Sequence, residues 1–466
     1  MDAAAPDPVN RCRALAWLAA GWGYFAIALL AGLLYALQFI GLYPFEGIEW
    51  LSPGRVRVVH TNGVAFGALS CTMIGLLEFV IPRLTGRPVL CQRLGWIVFA
   101  AWNLVVLATV ALVLGGRMQG VEWGETPAVL DPVVVLGLGL AAVNFLAPVV
   151  RASRDGPLYV SLWYFVAAFV WTALNYVAGN FLPEYWVPGA PGAAVTSMYI
   201  HDLVGLWVTP LGWGLMYYMV PGILRRPVYS HALSFLGFWS LAFFYPLNSV
   251  HHYLLSPIPM WLQRASVIAS VAIHLVVYGV VFNFWGTLHG HFREAWSKLP
   301  VRWFMVGAAF YLLTCVQCAF QVTITMQTRI HFTDWVVGHA HLVMFGVFTF
   351  WMIGFTLHAW PRLCGVDADA SASRGLRVQF WVTTIGVFAM WVGLTIAGLL
   401  QGDAWRRPGP FTDSVAASGP WWHLRMDLGI ALFLAQVPFF GWLVSVWRRG
   451  RAAAAAPSAA PAGAAS

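Results

Sequence analysis

The chain has 466 residues, 60% of them hydrophobic, 15% aromatic and only 9% charged. That balance leaves no room for a water-soluble fold and defines an all-α polytopic membrane protein. A net charge of +8 belongs to topology here and gives no reason to invoke nucleic acid. A helix that crosses the hydrocarbon core needs about 20 apolar residues. Twelve such runs follow in chain order, at 14–43, 56–81, 93–115, 129–150, 157–178, 194–221, 231–256, 264–286, 303–326, 335–360, 377–401 and 426–447. The first is too long for a secretory leader and is read as a retained span.

The domain organisation expected is a short cytoplasmic segment over 1–13, one twelve-helix catalytic core over 14–448, and a disordered Ala/Pro-rich tail over 449–466. The largest loop expected between spans lies near 402–425. With the amino terminus inside, eighteen of the 26 lysines and arginines fall on cytoplasmic segments, as the positive-inside rule requires, and both termini are cytoplasmic. The six cysteines lie in spans or on the inner side, which argues against disulfides. Cys315 and Cys318 form a CxxC read as helix packing, and the absence of CxxCH excludes covalently attached haem c.

Histidines carry the chemistry. His60 opens the second span, His201 the sixth, and His339 with His341 the tenth, while His251 and His252 close the seventh. The arginine-derived orientation puts all six in the outer third of the membrane, where unpartnered polar side chains are costly and imply something bound. Imidazole suits haem iron and copper. Residues two apart on a helix are rotated by about 200°, so His339 and His341 serve different centres. Adjacent His251 and His252 differ by about 100° and can reach one metal, with His201 as a third ligand. His60 is free to pair with either histidine of the tenth span. His231, His289, His291, His358 and His423 are read as solvated near the surfaces, and His274 as bonded to a backbone carbonyl.

The segments VVHTNGVAFG (58–67), YIHDLVGLWVTPLG (199–212), YPLNSVHHYL (245–254) and HFTDWVVGHAHLVMFG (331–346) resemble the catalytic subunit of the haem-copper oxidase superfamily. The likeness is to its C family, the cbb-type cytochrome c oxidases, and to the related nitric oxide reductases. The resemblance implies a low-spin haem b held by His60 and His341, a high-spin haem on His339, and copper on His201, His251 and His252. It also implies that Tyr245 supplies a proton and an electron to O2. In nitric oxide reductases a glutamate follows the sixth-span histidine by four residues; that position here is Gly205. Two departures run the other way. Gln317 stands where the C family usually has glutamate, and Asp202 where asparagine is usual. QGVEWGE (119–125) is similar to a calcium-holding segment, which makes Glu122 and Glu125 candidate calcium ligands.

The function expected is four-electron reduction of O2 to water by a terminal oxidase in a bacterial plasma membrane. Its electrons come from cytochrome c or a cytochrome-bearing subunit of a hetero-oligomer. The alternative is reduction of NO to N2O with non-haem iron or copper. A non-redox transporter is the third reading, disfavoured because no internal repeat is evident. Ser234 and Tyr218 are the expected proton path, with Ser240 and Tyr217 as further polar positions on the same side.

Overall fold

The computed structural model describes residues 7–455. Among them no strand occurs, and twelve helices are long and apolar enough to cross a membrane. In chain order, first to twelfth, they are Arg11–Ile40, Pro53–Thr85, Gln92–Leu114, Ala128–Ala152, Val160–Tyr185, Ala190–Leu224, His231–Tyr253, Met260–Leu288, Leu299–Gln321, Asp334–Cys364, Arg374–Trp405 and Thr412–Ala455. Every run expected from composition has its helix.

Three spans form the centre. The most apolar windows of the second and sixth are each 89% buried and that of the tenth 78%, whereas the first and third are 17% and 22% buried. These central spans carry four of the six histidines singled out above. A helix surrounded by protein tolerates polar groups that a lipid-facing one does not.

Three of the same helices widen just past their histidines. Gly63–Leu69 follows His60, Leu203–Val208 follows His201 and Leu342–Thr349 follows His341, each a π-helical stretch. Hydroxyls reach back five residues across two of them, from Ser70 Oγ to the Ala65 carbonyl and from Thr349 Oγ1 to that of Met344. Such insertions collect at functional sites because they re-aim side chains without ending the helix.

Several boundaries differ from expectation. The loop placed at 402–425 is mostly helix: the eleventh span runs to Trp405 and the twelfth begins at Thr412, so His423 sits on a helix and not in a loop. The twelfth span breaks at Gln436, whose amide bonds the side chains of Gln379 and Thr383 and so ties the break to the eleventh span. The ninth ends at Gln321, and Ile324–Ile330 forms a separate short helix. The tail expected from residue 449 is helical as far as Ala455; residues 456–466 and 1–6 lie outside the described residues. His358 is half-buried within the tenth span and is not a solvated surface group.

One buried ion pair ties the first three spans together at their arginine-rich end. Arg13 Nε and Nη2 donate to the two carboxylate oxygens of Glu78 at 2.6 and 2.8 Å, and Nη1 donates to the backbone and side chain of Gln92. Arg13 is 0% and Glu78 1% exposed, so each charge depends on the other. Glu78→Ala leaves a buried guanidinium uncompensated and is expected to cost about 3–5 kcal/mol. Thermal unfolding in detergent checks this, and a transition unchanged from the parent chain would disprove it.

Candidate metal and cofactor site

The first span shapes the place of His60. Ala28 offers its carbonyl to His60 Nδ1 at 2.7 Å, and one turn on Gly32 makes space for the ring. A Cβ at Gly32 would stand 2.7 Å from that same Nδ1. His341 Nδ1 lies 2.8 Å from the Val337 carbonyl. A carbonyl can only accept, so in both rings Nδ1 carries the proton and Nε2 keeps a lone pair for a metal. The two rings are near-parallel, 21° apart in plane, with centroids 6.3 Å from each other. They do not touch, and metal–imidazole bonds of about 2 Å each fit a gap of this size.

Both rings line a cavity of about 460 Å³. Apolar residues of the first and tenth spans form its walls, and Arg57, Glu122, Asp334 and Arg425 also reach it. Such a slot, apolar along its length with cations at the rim, suits a flat macrocycle bearing carboxylates. Asp334 is fixed there by Gln401 Nε2 and Trp422 Nε1, each donating at 2.7 Å. Trp123 and Phe332, both at the cavity, have φ of 62°. Bulky residues in left-handed backbone store strain that is held only where the surroundings enforce it.

His201, His251 and His252 meet at a second point. One ring nitrogen from each lies within 4.8 Å of the others, the only group of three or more such ligand atoms among the described residues. His251 Nδ1 is engaged by Ser270 Oγ at 2.8 Å, which leaves Nε2 for a metal, and His201 Nδ1 faces His252 Nε2 at 2.9 Å. The pair sits on a tight 3₁₀ turn, Ser249–Tyr253, and not on the regular helix expected. Three neutral imidazoles suit copper, zinc or iron and leave a position open for a substrate. Beside them Tyr245 lies against His201, ring centroids 5.4 Å apart and planes 22° apart.

His339 approaches this cluster from the tenth span. Its Nδ1 is 3.0 Å from Gln317 Oε1, which again leaves Nε2 free. His339 and His341 therefore face different centres, as their spacing requires.

Other candidates fare unevenly. Glu125 is buried and accepts from Asn62 Nδ2 at 2.9 Å, and Glu122 stands at the cavity rim. Burial raises the Glu125 carboxyl above its usual range, whereas Glu122 is exposed to solvent. No third histidine, cysteine or carboxylate completes a cluster with them among the described residues. Ser234 is buried and turns its hydroxyl back onto the His231 carbonyl; Tyr218 is half-buried elsewhere, and no hydrogen bond joins the two. Tyr217 instead accepts from Asn283 Nδ2 at 3.2 Å. His274 bonds carbonyls of Val271 and Cys315, as expected.

Sequence reasoning missed Ser270, Asn283, Trp391, Arg57 and Arg425. The first three belong to spans without any of the six site histidines, so nothing in their local spacing marks them. The arginines were counted only for topology, although two basic residues at the outer end of apolar helices could have been questioned.

Fold and site together define a twelve-span membrane protein with two candidate metal positions, one between two facing imidazoles and one on three. The family described as cytochrome c and quinol oxidase polypeptide I matches residues 13–431. The chain belongs to that family. It is 28% identical over 447 residues to a cbb3-type cytochrome c oxidase subunit CcoN1 of Stutzerimonas stutzeri, covering 93% of each chain. A nitric oxide reductase chain of the same organism is 23% identical, with 94% of this chain and 96% of the relative aligned. The fold matches that of a heme-copper terminal oxidase dimer with a TM-score of 0.76 at 13% identity, over 97% of this chain and 85% of the other.

The two candidate metal positions are built from different side chains. His251→Ala or His252→Ala is expected to remove metal held by the three-imidazole cluster while metal between His60 and His341 is retained. Metal content per purified chain measures this, and joint loss of both metals in a folded variant counts against two separate positions.

Proposed function

We propose that this chain is the catalytic subunit of a terminal respiratory oxidase of a bacterial membrane, reducing O2 with four electrons and four protons to two waters. His60 and His341 hold a low-spin haem b, His339 a high-spin haem, and His201, His251 and His252 a copper ion. When bound, that haem and copper supply electrons and polarise the two ends of O2. The tenth span fixes both haem ligands one on each side of a single turn, so the two centres keep a constant separation. Electrons come from cytochrome c or from a cytochrome-bearing subunit of the membrane assembly.

The observation that carries the oxidase reading is the place of Tyr245 over Gly205. A Cβ built at Gly205 would stand 1.8 Å from Tyr245 Cε1 and 2.0 Å from Cδ1. The phenol therefore occupies the room that a side chain at position 205 would need. A glutamate there, as expected of nitric oxide reductases, and this tyrosine cannot share the site. With its ring against His201, Tyr245 is placed to give a proton and an electron as the O–O bond breaks.

Two finer assignments complete the proposal. Glu122 and Glu125 hold calcium at the rim of the low-spin haem cavity, a reading supported by two carboxylates three residues apart in one loop, which offer the hard oxygen ligands calcium takes. Protons enter from the cytoplasmic side past Ser234 and Tyr218, which lie on spans leading toward Tyr245. Unchanged proton-coupled turnover in Ser234→Ala and Tyr218→Phe would remove that path.

Gly205→Ala is expected to displace Tyr245 and lower O2 turnover by about two orders of magnitude, the scale of a 1 Å misplacement of a reacting group. Stopped-flow O2 consumption with unchanged low-spin haem absorbance checks it. Metal analysis of the purified protein tests the wider reading: one copper for every two haem irons is expected, and non-haem iron without copper would make the chain a nitric oxide reductase.

A further inference from the structure

Gln317, on the ninth span, is 7% exposed, and its Oε1 has two neighbours at hydrogen-bond distance. His339 Nδ1 lies 3.0 Å away and Trp391 Nε1, from the eleventh span, also 3.0 Å. The amide nitrogen Nε2 is buried without a partner. An indole N–H donates and never accepts, so the atom facing Trp391 has to be the amide oxygen. The same oxygen faces His339. Nδ1 of that ring must then carry the proton, and Nε2 is left with its lone pair.

We propose that Trp391 and Gln317 act as positioning residues that set the tautomer and the donor strength of His339 and thereby raise the potential of the haem it holds. This rests on the reading of His339 as a haem ligand. Flipping the amide would turn its N–H toward the indole N–H and bury the oxygen without a donor. Trp391 thus makes one amide orientation the stable one, at the cost of an orphaned Nε2, which a buried amide bears only when something else is gained. The gain is a neutral acceptor behind the ring.

The acceptor's charge decides the electronic effect. A carboxylate at position 317 would draw the Nδ1 proton more strongly and make the ring more anionic. That favours ferric over ferrous iron, as partners of this kind raise the basicity of a metal-bound imidazole. The amide oxygen accepts a weaker, uncharged bond. Electron transfer from the low-spin haem to this haem is accordingly downhill by more than it would be with glutamate.

The test uses the haem-loaded protein and the variants Gln317→Glu and Trp391→Phe. For Gln317→Glu the ferrous-to-ferric ratio of the high-spin haem should fall about tenfold at fixed potential, which is 59 mV for a one-electron couple. Its iron–histidine stretching frequency in resonance Raman should rise, while the low-spin haem on His60 and His341 keeps its midpoint and serves as the folding control. Trp391→Phe releases the amide and should broaden or split that stretching band, since two amide orientations then compete. An unshifted midpoint and stretching band in Gln317→Glu with both haems present would overturn the proposal and leave the oxidase reading intact. Retention of both haems in His339→Ala would instead overturn the ligand assignment itself.

Discussion

A neutral imidazole has one nitrogen that donates and one that accepts, and this chain commits the donor of four of its six site histidines to protein before any metal enters. Ala28, Val337, Gln317 and Ser270 each stand at hydrogen-bond distance from the Nδ1 of a different site histidine. Left uncommitted, a buried ring could turn over or keep the wrong tautomer, and an unpaired polar group in such surroundings costs free energy. The partners come from the first, tenth, ninth and eighth spans, so holding four rings requires four helices in register. His201 differs in facing the cluster with Nδ1, and there Tyr245 packs against the ring instead.

Backbone geometry supplies the rest of the aim. The π-helical stretches after His60, His201 and His341 put extra residues into a turn, which rotates everything beyond them relative to a regular helix. Gly205 sits inside one of these stretches, where the backbone is brought against Tyr245 from the seventh span. Close approach of backbone to a ring is available only at glycine, and Gly32 behind His60 repeats the device. Wide turns and missing side chains together let rings lie in the middle of a bundle already filled by tryptophan and phenylalanine.

Twelve helices and the three groups of histidines were legible because they rest on composition and on period. A run of apolar residues long enough to span a bilayer has few other uses, and two histidines two residues apart must diverge on any helix. What could not be read depended on partners distant in sequence. Ser270 is nineteen positions from His251, and Trp391 is 74 from Gln317; neither spacing carries a local signal. The error at 402–425 had another cause. Asp403, Arg406, Arg407, Asp413, His423 and Arg425 make that stretch polar enough to resemble a loop, yet Arg329 binds Asp403 at 2.6 Å and Arg425 is buried against Phe39 and Tyr35. Charges with partners extended the helices beyond their apolar cores.

Local volume separates oxidase from reductase more sharply than overall similarity does. Relatives of both kinds align along nearly the whole chain, so alignment length does not separate them. The difference therefore has to lie where a single volume can be filled in only one way. At position 205 the choice is between a side chain and the tyrosine ring, and this chain has taken the ring. A carboxylate in that volume would offer a hard oxygen ligand, which favours iron; its absence leaves three imidazoles, which favour copper. On the proposed reading, metal preference and the presence of a phenol beside the metal are thus one decision, made by the absence of a Cβ on the sixth span.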